Sequence, residues 1–168
     1  MPDQTNYARK LSGPVNNVTL PAFLAYLATP VNNCTGDSTL VAPVIFDTEI
    51  CDQGANYDPS TGFFTAPVTG KYQLSTIVTL DGLAAGHNYH DLRLVTTNRT
   101  YICYDGFAAG ANPFIVGRSL KLSVLADMDA NEIAYVTLTV SGSTKVVDIW
   151  GAAAATDLYT YFCGHLVC

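Results

Sequence analysis

The segment NYDPSTGFFTAPVTGKYQLS, Asn56 to Ser75, sets two proline-to-glycine turn signals a few residues apart and threads aromatic rings between them. Asp58 and Pro59 start a turn, because the proline ring fixes φ at its second position, and Gly62 accepts the positive φ that returns the chain as FFT. Pro67 ends that short run and Gly70 releases the chain into a longer one. A backbone reversed this often has no room for a stable helix, so short strands are the regular structure it admits. Tyr57, Phe64 and Tyr72 fall where successive strands stack their rings in one core layer. Burial is then worth ~1.5 to 3 kcal/mol for each ring.

The longer run, KYQLSTIVTL, places Tyr72, Leu74, Thr76, Val78 and Leu80 on one face and Gln73, Ser75, Ile77 and Thr79 on the other. That period of two, rich in β-branched residues, predicts a strand near the centre of a sheet. DLRLV (Leu92, Leu94), SLKLSVL (Leu120, Leu122, Val124) and EIAYVTLTV (Val136, Leu138, Val140) repeat the alternation, and Phe162, Gly164 and Leu166 share one face of a last strand. Turn chemistry separates these runs, and the only helix-friendly stretches are AFLAYLA and GAAAATDL. The expected fold class is all-β, a sandwich or jelly roll.

Its 168 residues suffice for one core, while only 13% are charged and the formal net charge is −6. Lys and Arg are scattered singly, which leaves no basic patch for nucleic acid. The N-terminus lacks an apolar export segment and no run approaches the ~20 apolar residues that span a bilayer, so cytosolic synthesis without a membrane partner is expected. Cys34, Cys51, Cys103, Cys163 and Cys168 form no C-x-x-C pair. Reduced thiols are expected, with a Cys34 to Cys51 bridge as the alternative.

From Val44 to Ser75 the residues Phe46, Tyr57, Asp58, Thr61, Gly62, Phe64, Pro67, Gly70 and Tyr72 stand in an order and spacing that resemble the head domain of the C1q and tumour-necrosis-factor-like family. AFLAYLA is similar to that family's first strand, and Phe162, Gly164 and Leu166 to its final F-x-G-x-L strand. The resemblance implies a ten-stranded jelly roll over residues 21–168 that assembles as a homotrimer. Asn131 and Glu132 stand where the family usually has Gly-Asp, and asparagine is the next-best residue for a left-handed turn. WGAAAATDLY replaces a polar loop, and no collagen repeat or heptad precedes the domain in this sequence.

Nothing in the chain carries the spacing of a nucleophile elbow, phosphate loop or zinc-protease helix, so neither catalysis nor a cofactor is expected. His87, His90 and Asp91 in GHNYHD read as a polar loop more readily than as a metal site, and His165 as a surface residue of the last strand. Residues 1–20 read as an arm without secondary structure that orders on a partner, with Tyr7, Arg9, Lys10 and Leu11 as candidate contacts. Tyr101, Tyr104 and Phe107, in or near loops, are candidate ligand contacts. A stalkless trimer with such an arm is expected to decorate or cement a viral capsid, above all a bacteriophage's, with the major capsid protein as partner. The alternative is a head that binds a glycan or host receptor.

Overall fold

In the computed structural model, which describes residues 20–106 and 117–168, the most regularly alternating run becomes the longest strand. In chain order the described strands are β1 (Ala22–Tyr26), β2 (Val31–Thr35), β3 (Leu40–Val41), β4 (Thr48–Gln53), β5 (Tyr57–Asp58), β6 (Phe63–Thr65) and β7 (Gly70–Asp81). There follow β8 (Tyr89–Thr96), β9 (Thr100–Gly106), β10 (Arg118–Met128), β11 (Ile133–Ser141), β12 (Val147–Ile149) and β13 (Tyr161–Leu166), with no helix among the described residues.

Ten of these strands form two antiparallel sheets of five, β4-β1-β13-β7-β10 and β5-β6-β11-β8-β9. The short β2 and β12 continue the first sheet beside the far end of β7, and β3 lies along β11 beyond β6. The ten-stranded sandwich is therefore present with three short strands added. β10 runs alongside β7 from Arg118↔Leu80 to Met128↔Gly70, which makes β7 the spine of its sheet.

Alternation decides what lies between the sheets. Tyr72, Leu74, Val78 and Leu80 from β7, Leu92 and Leu94 from β8, and Val136, Leu138 and Val140 from β11 are wholly buried. Phe23 of β1 joins the layers: it stacks on Tyr57 at 5.2 Å and on Phe64 at 4.7 Å, and meets Phe162 edge-on at 4.9 Å. The Tyr57 hydroxyl donates to the Phe46 carbonyl at 3.1 Å and accepts the Phe46 N–H at 3.3 Å, so this buried phenol is satisfied by one backbone residue. Burial pushes its pKa up and keeps it neutral.

Two glycines make this core feasible. Gly62 has φ 75°, and its N–H donates to the Asp58 carbonyl at 2.8 Å, closing the turn that delivers Phe63 and Phe64. Gly164 sits opposite Phe23 and Leu74, and a Cβ there would lie 2.8 Å from Phe23 Cε1 and 2.5 Å from Leu74 Cδ2. The Phe23 ring occupies the space a side chain at 164 would take. Asn131, at φ 72°, supplies the left-handed turn expected before β11.

At the open side of the sandwich, ion pairs Arg99–Asp127 and Arg118–Asp105 connect the first sheet's edge strand β10 to β9 and the β8–β9 turn. Phe23→Ala should cost about 3 to 5 kcal/mol of unfolding free energy, and Gly164→Ala about 1 to 3 kcal/mol through overpacking. Urea denaturation checks both, with Ile50→Ala at an exposed site (45% accessible) staying within about 0.5 kcal/mol of wild type.

Candidate functional site

Because every strand sends alternate side chains away from the core, each sheet also carries an outward face, and the two differ in chemistry. On the first sheet, cross-strand register sets Cys51, Leu24, Cys163, Ser75 and Ser123 in one row. Tyr26, Tyr161, Ile77 and Lys121 form the row to one side, and Ala22, His165, Gln73 and Leu125 the row to the other. Ser75 and Ser123 share a hydrogen bond of 2.7 Å, and Gln73 Nε2 donates to Ser123 Oγ at 2.9 Å. Desolvation, helped by the neighbouring Cys51, pushes the Cys163 thiol up, so it stays protonated and behaves as a small apolar group. Desolvation, then Cys163, pushes the Tyr161 phenol up as well. Lys121 is the sole acidic or basic side chain in these rows apart from His165.

The second sheet faces outward with rings, hydroxyls and one ion pair. β8 contributes Tyr89, Asp91, Arg93 and Val95; opposite them β9 places Tyr104, Ile102 and Thr100, and β11 places Ser141, Thr139, Thr137 and Tyr135. Asp91 is 2% exposed, and its carboxylate accepts Arg93 Nε at 2.8 and 3.0 Å together with Nη2. Tyr89 and Tyr104 stand over this pair with ring centroids 5.5 Å apart, Tyr104 being 58% exposed. Desolvation, the Tyr104 hydroxyl and the Asp91 charge push the Tyr89 phenol up to about 12, while Asp91 raises the Arg93 pKa. The rows on β8, β9 and β11 are thus uncharged in sum but rich in donors and acceptors, and the nearest unpaired acid, Asp58, stands on β5 opposite Phe63.

The residues singled out in sequence divide between these settings. Phe46, Tyr57, Phe64, Tyr72 and Phe162 lie in the core, Gly62 and Gly164 make their turn and gap, and Leu166 packs against the cluster. A Cβ on Gly70 would meet Leu166 Cδ1 at 2.5 Å, so this glycine lets the last strand close over the start of β7. Tyr7, Arg9, Lys10, Leu11 and Phe107 lie outside the described residues. Tyr101 and Tyr104 are not loop residues but members of β9, three positions apart and so on opposite faces: Tyr101 packs against the core and Tyr104 faces outward.

The polar-loop reading holds for the place of His87 but not for His90 and Asp91, which belong to β8, and all three are buried at 3%, 0% and 2% exposure. His87 Nδ1 accepts the Ala84 N–H at 2.8 Å, which leaves Nε2–H to donate to the Thr144 carbonyl at 3.0 Å and fasten two loops together. His90 points inward from β8, and Asp91 outward into the fork with Arg93. The missed signal was the i, i+2 charge pair in DLR, which puts opposite charges on one face of a strand. His165 is exposed, as expected, and all five cysteines are free, with Cys34 Sγ donating to the Val147 carbonyl at 3.3 Å.

Comparison with known proteins follows the same lines. The family model of the C1q domain matches residues 22–167. Among solved structures, the chain is similar to the globular domain of zebrafish complement 1qA protein, with TM-score 0.55 and 15% identity over 89% of this chain and 98% of that one. It is similar to murine APRIL at pH 8.5, with TM-score 0.56 and 9% identity over 88% of this chain and 98% of that one. Eiger TNF from S. frugiperda matches with TM-score 0.58 and 14% identity over 89% and 94% of the two chains. At these identities the likeness is one of fold.

Desolvation, followed by the nearby Arg118 guanidinium, lowers the His90 pKa from 6.5 to about 4. Asp105, its cross-strand partner, is paired with Arg118. Between those two pH values the unfolded chain takes up a proton that the folded chain refuses, so stability is full above the upper value and falls as pH drops toward the lower one. Denaturation midpoints measured across that window should decline in the wild type and decline less in His90→Asn. Equal slopes would show that another group is responsible.

Proposed function

Since this chain belongs to the C1q domain family, we propose that it works as a homotrimeric, non-enzymatic binding head. The observation that carries this reading is the outward face of the first sheet. Its central row of Leu24, Cys163, Ser75 and Ser123 holds no charge and is half-apolar, and Ile77 and Tyr161 flank it. Ile50 and Leu125, 45% and 53% exposed, lie on the strands at its two margins. Copies of the same chain packed around a threefold axis would cover it, and subunit packing is the usual cover for such a face. The second sheet then stays turned outward, away from the axis.

Absence of catalysis is in keeping with both faces. The Asp91 carboxylate, the buried acid of the second face, is engaged by Arg93 and spends its lone pairs on structure. Membership of a family whose heads typically bind ligands without transforming them supports the same view.

The seat of the trimer is proposed to be a viral shell, gripped by the arm of residues 1–20. Three arms on one trimer bind with an avidity no single arm has. This part of the reading rests on the arm's composition, with Tyr7, Arg9, Lys10 and Leu11 as its contacts.

Sedimentation of the full chain at micromolar concentration should give the mass of three chains. Ser75→Arg at the centre of the face and Leu125→Glu at its margin should shift that mass toward one chain without lowering the urea midpoint. A wild-type monomer, or variants that remain trimeric, would refute the assembly. Deleting residues 1–20 should leave the trimer intact and abolish co-sedimentation with assembled shells; undiminished co-sedimentation removes the arm from the account.

A further inference from the structure

We propose that the outward face of the second sheet is a binding track for an uncharged oligosaccharide. The track follows β8. At one end stand the Tyr89 and Tyr104 rings, 5.5 Å apart. In the middle lie Arg93, Ile102 and the Thr137 and Thr139 positions. At the other end an open cleft of about 420 Å³ is lined by Val95, Thr97, Arg99, Thr100, Ile133 and Tyr135. Tyr135 carries a second ring pair there, its centroid 5.2 Å from that of Phe63. From Tyr89 to Val95 the strand advances roughly 20 Å at ~3.3 Å per residue, enough for several sugar rings in line.

A pyranose presents a flat patch of C–H groups on its faces and hydroxyls around its rim. The track matches both. Exposed rings receive the C–H patch, and the polar groups between them take the rim. Arg93, with its side chain 40% exposed, keeps N–H donors beyond those given to Asp91. Asp91, almost wholly buried, acts as the positioning residue that holds the guanidinium in the plane of the sheet. Thr139, half-buried on β11, supplies a hydroxyl of either polarity, while Thr137 is buried beneath the face.

Charge selects among ligands. Asp91 cancels Arg93 within the face, and Arg99 at the far end is paired with Asp127. Among the described residues of this face no cation is left to attract a sialylated, sulfated or phosphorylated chain, so the complementary ligand is neutral. A protein partner would need a larger continuous apolar centre than two separated ring pairs provide.

The test uses the full chain and four named probes, maltohexaose, cellohexaose, laminarihexaose and chitohexaose, titrated calorimetrically, together with an array pairing neutral glycans with sulfated and sialylated counterparts. Neutral glycans should bind in preference to charged ones. Tyr104→Ala should weaken the bound probe roughly tenfold, and Ile102→Glu should abolish binding. Both positions are exposed, so a retained urea midpoint shows that the fold is intact. Ser75→Arg, on the other sheet, should leave solution affinity unchanged while lowering avidity on the array. That arm separates failure of this proposal from failure of the trimer. Lack of binding by every neutral glycan, preference for charged ones, binding indifferent to Tyr104→Ala and Ile102→Glu, or capture of proteins in place of glycans would each overturn the proposal.

Discussion

Phe23 lies flat against Tyr57 and Phe64 and end-on to Phe162, so one ring of the first sheet touches its neighbouring strand and the opposing sheet together. Two sheets so poor in charge would each leave an apolar face in water, and this contact is where they are held to each other. It carries a steric condition. The ring fits only because position 164 has no side chain, which ties the register of β1 against β13 to a glycine near the end of the chain. It also carries a polar condition, because Tyr57 can be buried only with its hydroxyl spanning the Phe46 N–H and carbonyl. The corner from Phe46 to Tyr72 is therefore shaped by what surrounds one phenylalanine.

Much of this was legible beforehand. The alternation from Tyr72 to Leu80 became an inward row buried along its whole length, and the φ values at Gly62 and Asn131 are those their turn positions required. Local backbone demands and period two are properties a sequence displays directly. Phe23 was harder to find, because AFLAYLA does not alternate cleanly and its central role depends on rings from Tyr57, Phe64 and Phe162, far apart in the chain.

The functional surfaces were less legible for a related reason. Reading TYICYDG as loop discarded the parity that separates inward Tyr101 from outward Tyr104, although the segment alternates once it is taken as a strand. His87, His90 and Asp91 look hydrophilic in isolation, and their burial comes from different neighbours: the loop around Thr144 at His87, the interior of the sandwich at His90, and Arg93 with the Tyr89 hydroxyl at Asp91. Polarity reports what a side chain costs to bury; neighbours decide whether it is buried. The chemical contrast between the two outward faces appears only once strand order is known, since no contiguous stretch contains either face.

Strand order also keeps those faces apart: the thickness of the core lies between the rows around Ser75 and the rows around Asp91, and they share no side chain. Drift in one lineage can therefore rewrite the chemistry presented by β8 and β9 while leaving the rows around Ser75 untouched, and the reverse holds equally. Protein engineers inherit the same separation, because a display scaffold built from this chain can be diversified on one surface with every side chain of the other left in place.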